Sequence, residues 1–238
     1  MGSKSRIAKH IVPIIQRCIN DNQSISYIEP FVGGCNIIDK IECKNRIAND
    51  INIYLIELFK ELLNGGELPD YVSKEIYDIA RKEWQTGKGN LSFFELGAIG
   101  FLASYNGRFF DGGYAKSGYE GKRYRNYYQE SKNNILNQIE NLNDVNFFCL
   151  DYKELMTPAN AVIYCDPPYK GTKQFHYSNN FNHIEFWDVM REWSRYNTVL
   201  ISELEAPEDF ECIWEQEVSR SIKSKDKSRV TEKLFIKR

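Results

Sequence analysis

Apolar residues recur along this chain with two different periods, and the alternation between them lays out its elements. Ile7, Ile11, Ile14, Ile15 and Cys18 fall at helical spacing with Lys and Arg opposite, predicting a surface helix over 5–20. A strand over 26–31 then runs into the turn Val32-Gly33-Gly34-Cys35-Asn36, with a helical stretch expected over 37–43. A second strand over 46–50 ends on Asp50, and a helix follows over 53–63. From 71 to 143 helical spacing dominates, with helices expected over 71–84, 91–105 and 127–142. Strand rhythm returns at 145–150, 161–165 and 198–202, with an amphipathic helix over 182–195. Strands over 210–219 and 230–236 close the chain, joined by a basic segment.

The sum is an α/β sheet interrupted by a helical module. Gly65-Gly66-Glu67-Leu68-Pro69 marks the first boundary. The expected organisation is a core of residues 1–66 and 144–238, with a helical insertion over 67–143. Within the insertion, 106–125 reads as a loop rich in glycine, aromatic rings and positive charge. It contains Asn106, Arg108, Lys122, Arg123 and Arg125. A connection this long in a compact protein is more often functional than idle.

Composition narrows the field only a little. At 238 residues with 42% hydrophobic and 27% charged positions, the chain is globular. Its net charge of −2 announces no nucleic-acid partner, so a site for one must be a local patch. The 14% aromatic share suits a core, and also suits stacking on bases where rings stand among Lys and Arg. Six cysteines include no Cys-x-x-Cys pair and no His at metal spacing, so no metal is expected. No secretory signal or membrane-spanning run is visible, and a reduced, cytoplasmic protein is expected.

Candidate chemistry gathers at strand ends. The apolar run over 161–165 stops at Asp166-Pro167-Pro168-Tyr169. Each proline fixes its own φ and holds its predecessor extended, giving a stiff corner with acceptor oxygens and a ring nearby. Alone, that corner reads equally as a strand-ending turn. Three further strands, however, end on ligand-like groups: Glu29 to Gly34, Asp50 and Asp151. Open α/β sheets bind ligands at the carboxyl ends of strands, so these groups would share one crevice. Asp50 also stands where such folds place a carboxylate on ribose hydroxyls, though it serves equally as a cap for the helix over 53–63.

Taken together, these motifs resemble the Dam-type adenine-N6 DNA methyltransferases, which use S-adenosylmethionine. The shared features are Gly2-Ser3-Lys4, Glu29-Pro30-Phe31-Val32-Gly33-Gly34, Asn49-Asp50-Ile51-Asn52, Phe148-Cys149-Leu150-Asp151-Tyr152 and Asp166-Pro167-Pro168-Tyr169, in the family's order around the insertion. The resemblance implies a Rossmann-like, mainly parallel seven-stranded sheet with helices on both faces. It implies methyl transfer to adenine N6 of a base flipped out of double-stranded DNA, often within restriction-modification. Asp166, Pro167, Pro168 and Tyr169 would be catalytic: Asp166 and the Pro167 carbonyl accept the amine hydrogens, and Tyr169 stacks on the base. Lys4 would meet the methionine end, where Gly33 and Gly34 give room, and Asp50 the ribose. Asp151 would accept from the cofactor's adenine amine, and Pro30, Phe31, Tyr152 and Asp166 would complete the cofactor site. Asn106, Arg108, Lys122, Arg123 and Arg125 would contact DNA, with a monomer expected.

Two departures from the pattern stand out. Cys35 replaces a third glycine that many relatives carry, and Ser202-Glu203 replaces a more usual Ser-Asn. Two other activities remain open: amino-methylation of cytosine N4 or of an RNA base, and cofactor or nucleic-acid binding without turnover.

Overall fold

The computed structural model describes residues 4–170, 181–219 and 229–237. Gly2 and Ser3, residues 171–180 of a polar aromatic loop expected over 170–181, and residues 220–228 of the basic segment expected over 220–229 lie outside the described residues. In chain order the elements are α1 (Ala8–Asp21), β1 (Ser26–Glu29), β2 (Asn45–Asn49), α2 (Ile53–Leu63), α3 (Lys74–Thr86), α4 (Phe93–Leu102), β3 (Gly118–Glu120), β4 (Arg123–Arg125), α5 (Tyr127–Ile139), β5 (Val145–Phe148), β6 (Val162–Cys165), α6 (His183–Trp193), β7 (Thr198–Glu203), β8 (Phe210–Ser219) and β9 (Arg229–Lys237). A 3-10 turn over Lys4–Arg6 precedes α1. No helix among the described residues is long and apolar enough to cross a membrane.

Seven strands form one sheet in the order β5-β2-β1-β6-β7-β9-β8. β1 runs parallel to β2 and β6, and β6 parallel to β7, whereas β9 pairs antiparallel with both β7 and β8. The expected mainly parallel α/β sheet is what the structure shows. Every residue of β1 and β6 is buried. This is why both read as short apolar runs without alternation.

Two compact units emerge. One comprises residues 4–51 and 150–238, the other mainly residues 52–149. In the first, Ile163, Cys165, Val199 and Ile201 pack with Phe186 and Met190 of α6. Helix α1 packs against β6 and buries Ile11 and Ile15 completely. In the second, α4 opens on a capping box, with Ser92 and Glu95 each bonding the other's backbone N–H. Gly97 of α4 lets that helix approach α2 closely: a Cβ there would lie 2.3 Å from the Tyr54 carbonyl oxygen. Tyr54 in turn stacks on Phe109, ring centres 5.0 Å apart.

Two expectations are corrected. The helix expected over 37–43 is a single 3-10 turn, Ile38–Lys40. Ile37, Ile38 and Ile41 are all buried, and the Arg46 guanidinium donates to the Ile38 carbonyl at 2.8 Å, so side chains take up the backbone group that a longer helix would use. The expected loop over 106–125 contains the hairpin β3-β4, whose register pairs Glu120 with Arg123 across Gly121-Lys122. Gly121 at φ 63° supplies the positive φ that a two-residue hairpin turn requires.

Candidate active site

Three neighbouring parallel strands, β2, β1 and β6, deliver their carboxyl ends to the same edge of the sheet. After β1 the chain turns through Gly33 at φ 50°, whose N–H donates to Asp50 Oδ2 at 3.0 Å. Asp50 thus closes the glycine turn from the end of the adjacent strand. Cys35 also sits at positive φ, 54°, a conformation that glycine adopts more easily, and its side chain is wholly buried. The buried side chain of Asn49 ties these loops together. Its Nδ2 donates to the Pro30 carbonyl at 3.1 Å and to the Leu150 carbonyl at 3.0 Å, and its Oδ1 accepts from the Leu150 N–H at 3.0 Å. The Asn49 carbonyl accepts from the Val32 N–H at 2.8 Å.

Rings gather beside this loop. Phe31 lies 5.1 Å from Tyr152, 5.8 Å from Phe181 and 5.9 Å from Phe186, centre to centre. Asp151, next to Tyr152, caps the turn after it by accepting from the Lys153 N–H at 3.0 Å, and its side chain is 37% exposed. An outward carboxylate next to an aromatic wall can accept from a planar ligand's amine. Glu29 is different. It is almost wholly buried and accepts from the Tyr27 hydroxyl at 2.7 Å, and burial pushes its carboxyl well up, so it serves the core.

The corner after β6 gathers charge at the carboxyl end of the strand. Pro167 is buried, and Pro168 and Tyr169 are half-buried. The Lys4 ammonium lies 3.1 Å from Asp166 Oδ1 and 2.9 Å from Glu232 Oε2. It also donates to the Tyr169 hydroxyl and sits 4.5 Å from the centre of that ring. The Tyr169 hydroxyl donates to Glu232 Oε2 at 2.7 Å. Burial raises the Asp166 carboxyl above its ordinary range, against the opposing pull of Lys4. Burial alone would lower Lys4, but Asp166 and Glu232 outweigh it and the net shift is upward. Burial, reinforced by the two carboxylates, pushes the Tyr169 phenol far up, so it stays a neutral donor. Glu232 is the member that sequence reasoning missed. It lies on β9, between β7 and β8 in the sheet and 66 residues past Asp166, and no local motif marks it.

A second carboxylate also went unread as a site group. Glu203 ends β7 and is 3% exposed. It accepts from the Leu204 N–H at 2.9 Å through Oε1, while its Oε2 has no partner. Glu203 lines a cleft of about 510 Å³ together with Lys170, His183, Trp187 and Pro207. The signal was available: Ser202-Glu203 had already departed from the family pattern.

The expected DNA-contacting residues divide into separate situations. Asn106 is exposed at φ 56°, and Arg108 is exposed as well. Lys122 and Arg123 stand exposed at the hairpin tip beside Tyr119 and Tyr124, which are exposed rings 5.4 Å apart. Arg125 is engaged instead, donating to Glu130 at 3.0 Å and to Glu120 at 2.9 Å over the Tyr127 ring.

Residues 1–96 and 110–230 match the family of D12 class N6 adenine-specific DNA methyltransferases. The retron Ec67 DNA adenine methylase of Escherichia coli is 28% identical over 170 residues, covering 65% of this chain and 58% of that protein. A DNA adenine methylase of Vibrio cholerae is 27% identical over 180 residues, covering 67% and 61%. The type II methyltransferase M.MjaIII of Methanocaldococcus jannaschii is 24% identical over 211 residues, covering 79% and 73%. Against the retron and Vibrio enzymes the chain spans about three fifths of their length. The glycine turn, the carboxylates at neighbouring strand ends and the Asp-Pro-Pro-Tyr corner all lie within the matched residues: the chain belongs to the D12 class N6 adenine-specific DNA methyltransferase family.

Proposed function

We propose that the chain transfers a methyl group from S-adenosylmethionine to the N6 amine of adenine in double-stranded DNA. The observation that carries this reading is the corner itself: an Asp166 carboxylate and a Tyr169 ring, held together by Lys4, at the carboxyl edge of β6. The residues present fit such a donor by their chemistry. Asp50 and Asp151 are acceptors suited to hydroxyl and amine hydrogens, Phe31 and Tyr152 offer apolar faces, and the charged cluster holds two carboxylates to one ammonium. S-adenosylmethionine would supply an activated methyl group and leave as a neutral thioether.

The work of the chain's own residues follows from what they are. The amine of adenine is a weak nucleophile because its lone pair is delocalised into the ring, so it must be positioned and polarised. Asp166 and the Pro167 carbonyl accept its two hydrogens and favour the pyramidal nitrogen that attacks, a preorganised stabilisation of developing charge. The attack forms the nitrogen–carbon bond as the sulfur–carbon bond breaks, and the amine gives up one proton. A carboxyl raised by burial, as Asp166 is, is suited to take that proton. Pro167 and Pro168 keep the acceptors fixed, and much of the acceleration comes from that alignment. Tyr169 presents a ring on which a flipped base can stack, offsetting an unstacking cost of a few kcal/mol. Lys122 and Arg123 at the hairpin tip, with Asn106 and Arg108, are the groups proposed to meet DNA phosphates and base edges.

The test is transfer of labelled methyl from S-adenosylmethionine to mixed-sequence DNA, followed by digestion and identification of nucleosides. N6-methyl-2′-deoxyadenosine as the labelled product is expected. Label in cytosine, or only in RNA, would overturn the assignment of the acceptor. Binding of the donor without transfer would favour a module without turnover.

A further inference from the structure

We propose that Glu232 is a positioning residue whose carboxylate sets the net charge of the reaction centre, so that the site prefers a cationic methyl donor over its neutral product. The inference rests on the reading that S-adenosylmethionine is the donor, and it concerns a residue that none of the chain's motifs contains.

Lys4 contributes one positive charge, while Asp166 and Glu232 contribute one negative charge each, and the Tyr169 hydroxyl stays neutral. The three charged side chains are only 10%, 23% and 19% exposed, so water screens them weakly. A poorly solvated cluster with one carboxylate in excess is completed by a cation. The methyl donor is a sulfonium and the product of transfer a thioether, so the cluster should distinguish the two by charge.

Geometry explains why the excess falls to Glu232. Without it, Lys4 and Asp166 would form a closed neutral pair, and the ammonium would draw the Asp166 oxygen away from an incoming amine. With Glu232 at 2.9 Å on the other side, the ammonium is shared and Asp166 keeps more of its acceptor strength. Glu232 also receives the Tyr169 hydroxyl at 2.7 Å, which fixes the ring of the Asp-Pro-Pro-Tyr corner from a different strand. The residue is anchored for this role: β9 is held between β7 and β8, and Glu232 is paired with Gln216 in that ladder.

The experiment is calorimetric binding of S-adenosylmethionine and S-adenosylhomocysteine to the full chain and to Glu232→Gln and Glu232→Asp. Unmodified protein is expected to bind both ligands. In Glu232→Gln the preference for the sulfonium over the thioether should fall about tenfold, the scale of one poorly screened charge, with the thioether affinity changed less than about twofold. Glu232→Asp restores the charge and should keep most of the preference. Equal weakening of both ligands, or no change in either, would overturn the proposal, because a purely structural Glu232 moves them together. Failure of unmodified protein to bind the sulfonium would overturn the donor reading beneath it. Thermal melting of each variant, compared at one pH, reports whether the fold is intact.

Discussion

Glu203 offers a direct measurement of how the end of β7 is built. Burial pushes its carboxyl from the ordinary 4.5 up to about 7, against the backbone N–H donors of Leu204 and Lys170. Asp166 raises it further and Lys4 opposes, both as smaller effects. A raised value means that the folded chain holds this proton more tightly than the unfolded chain does. Its stabilisation is therefore complete below about pH 4.5 and is lost as pH rises through about 7. At about 1.4 kcal/mol per pH unit the shift from 4.5 to about 7 has a ceiling of about 3.5 kcal/mol. Relaxation of the surrounding structure around the ionised carboxyl reduces this to ~1–2 kcal/mol. Glu203→Gln removes the ionisation while keeping shape and an acceptor for the two N–H groups. The assay is urea unfolding of both proteins at about pH 5 and about pH 8, read as a difference so that any fixed cost of the amide cancels. Variant stability relative to the parent should rise by ~1–2 kcal/mol between the two pH values. A difference that does not change with pH would refute the reasoning, since it would mean that Glu203 is as well solvated folded as unfolded.

Three further outcomes are expected. Asp166→Ala should abolish methyl transfer while retention on DNA persists, measured by label incorporation and gel shift; retained activity would reduce the corner to a turn. Gly97→Ala would push a methyl group to 2.3 Å from the Tyr54 carbonyl and should destabilise by about 1–3 kcal/mol, read by chemical unfolding. Lys122→Ala and Arg123→Ala should each weaken DNA binding and lower the slope of log affinity against log salt by about 1 if they grip phosphates. Arg125→Ala, whose guanidinium is already paired with Glu120 and Glu130, should change that slope less.

The sequence was most informative where local pattern and tertiary demand agreed. Helix α2 is found with the bounds its periodicity predicts, because Asn52 caps two N–H groups at its start and its apolar face meets a core. Strands β6 and β7 were legible because burial on both faces writes an uninterrupted apolar run. The 3-10 turn after β1 was not, because three buried isoleucines at 37, 38 and 41 have helical spacing whether or not the backbone completes a helix. The β3-β4 hairpin was hidden by its polar, aromatic composition, although Gly121 at the first turn position was a usable sign. At the candidate site, groups within one contiguous motif were legible as neighbours, since a strand end places the residues that follow it together. Glu232 and the free oxygen of Glu203 could not be found that way. Their significance comes from pairing across strands distant in sequence, which a linear reading of charges on a β ladder does not register.

Asn49 gives the glycine-turn half of the site a mechanical property. One side-chain amide and its own carbonyl hold the segments at Pro30, Val32 and Leu150, so the three loops cannot open one at a time. Amide protons of Val32 and Leu150 should then exchange with solvent as a single cooperative unit. The proposed donor would meet a cup already set here, and little of its binding free energy would go into ordering the chain. Selectivity among adenosine-containing molecules would accordingly come from how well they fit a fixed shape, and would change little with temperature-driven loosening until the whole unit unfolds.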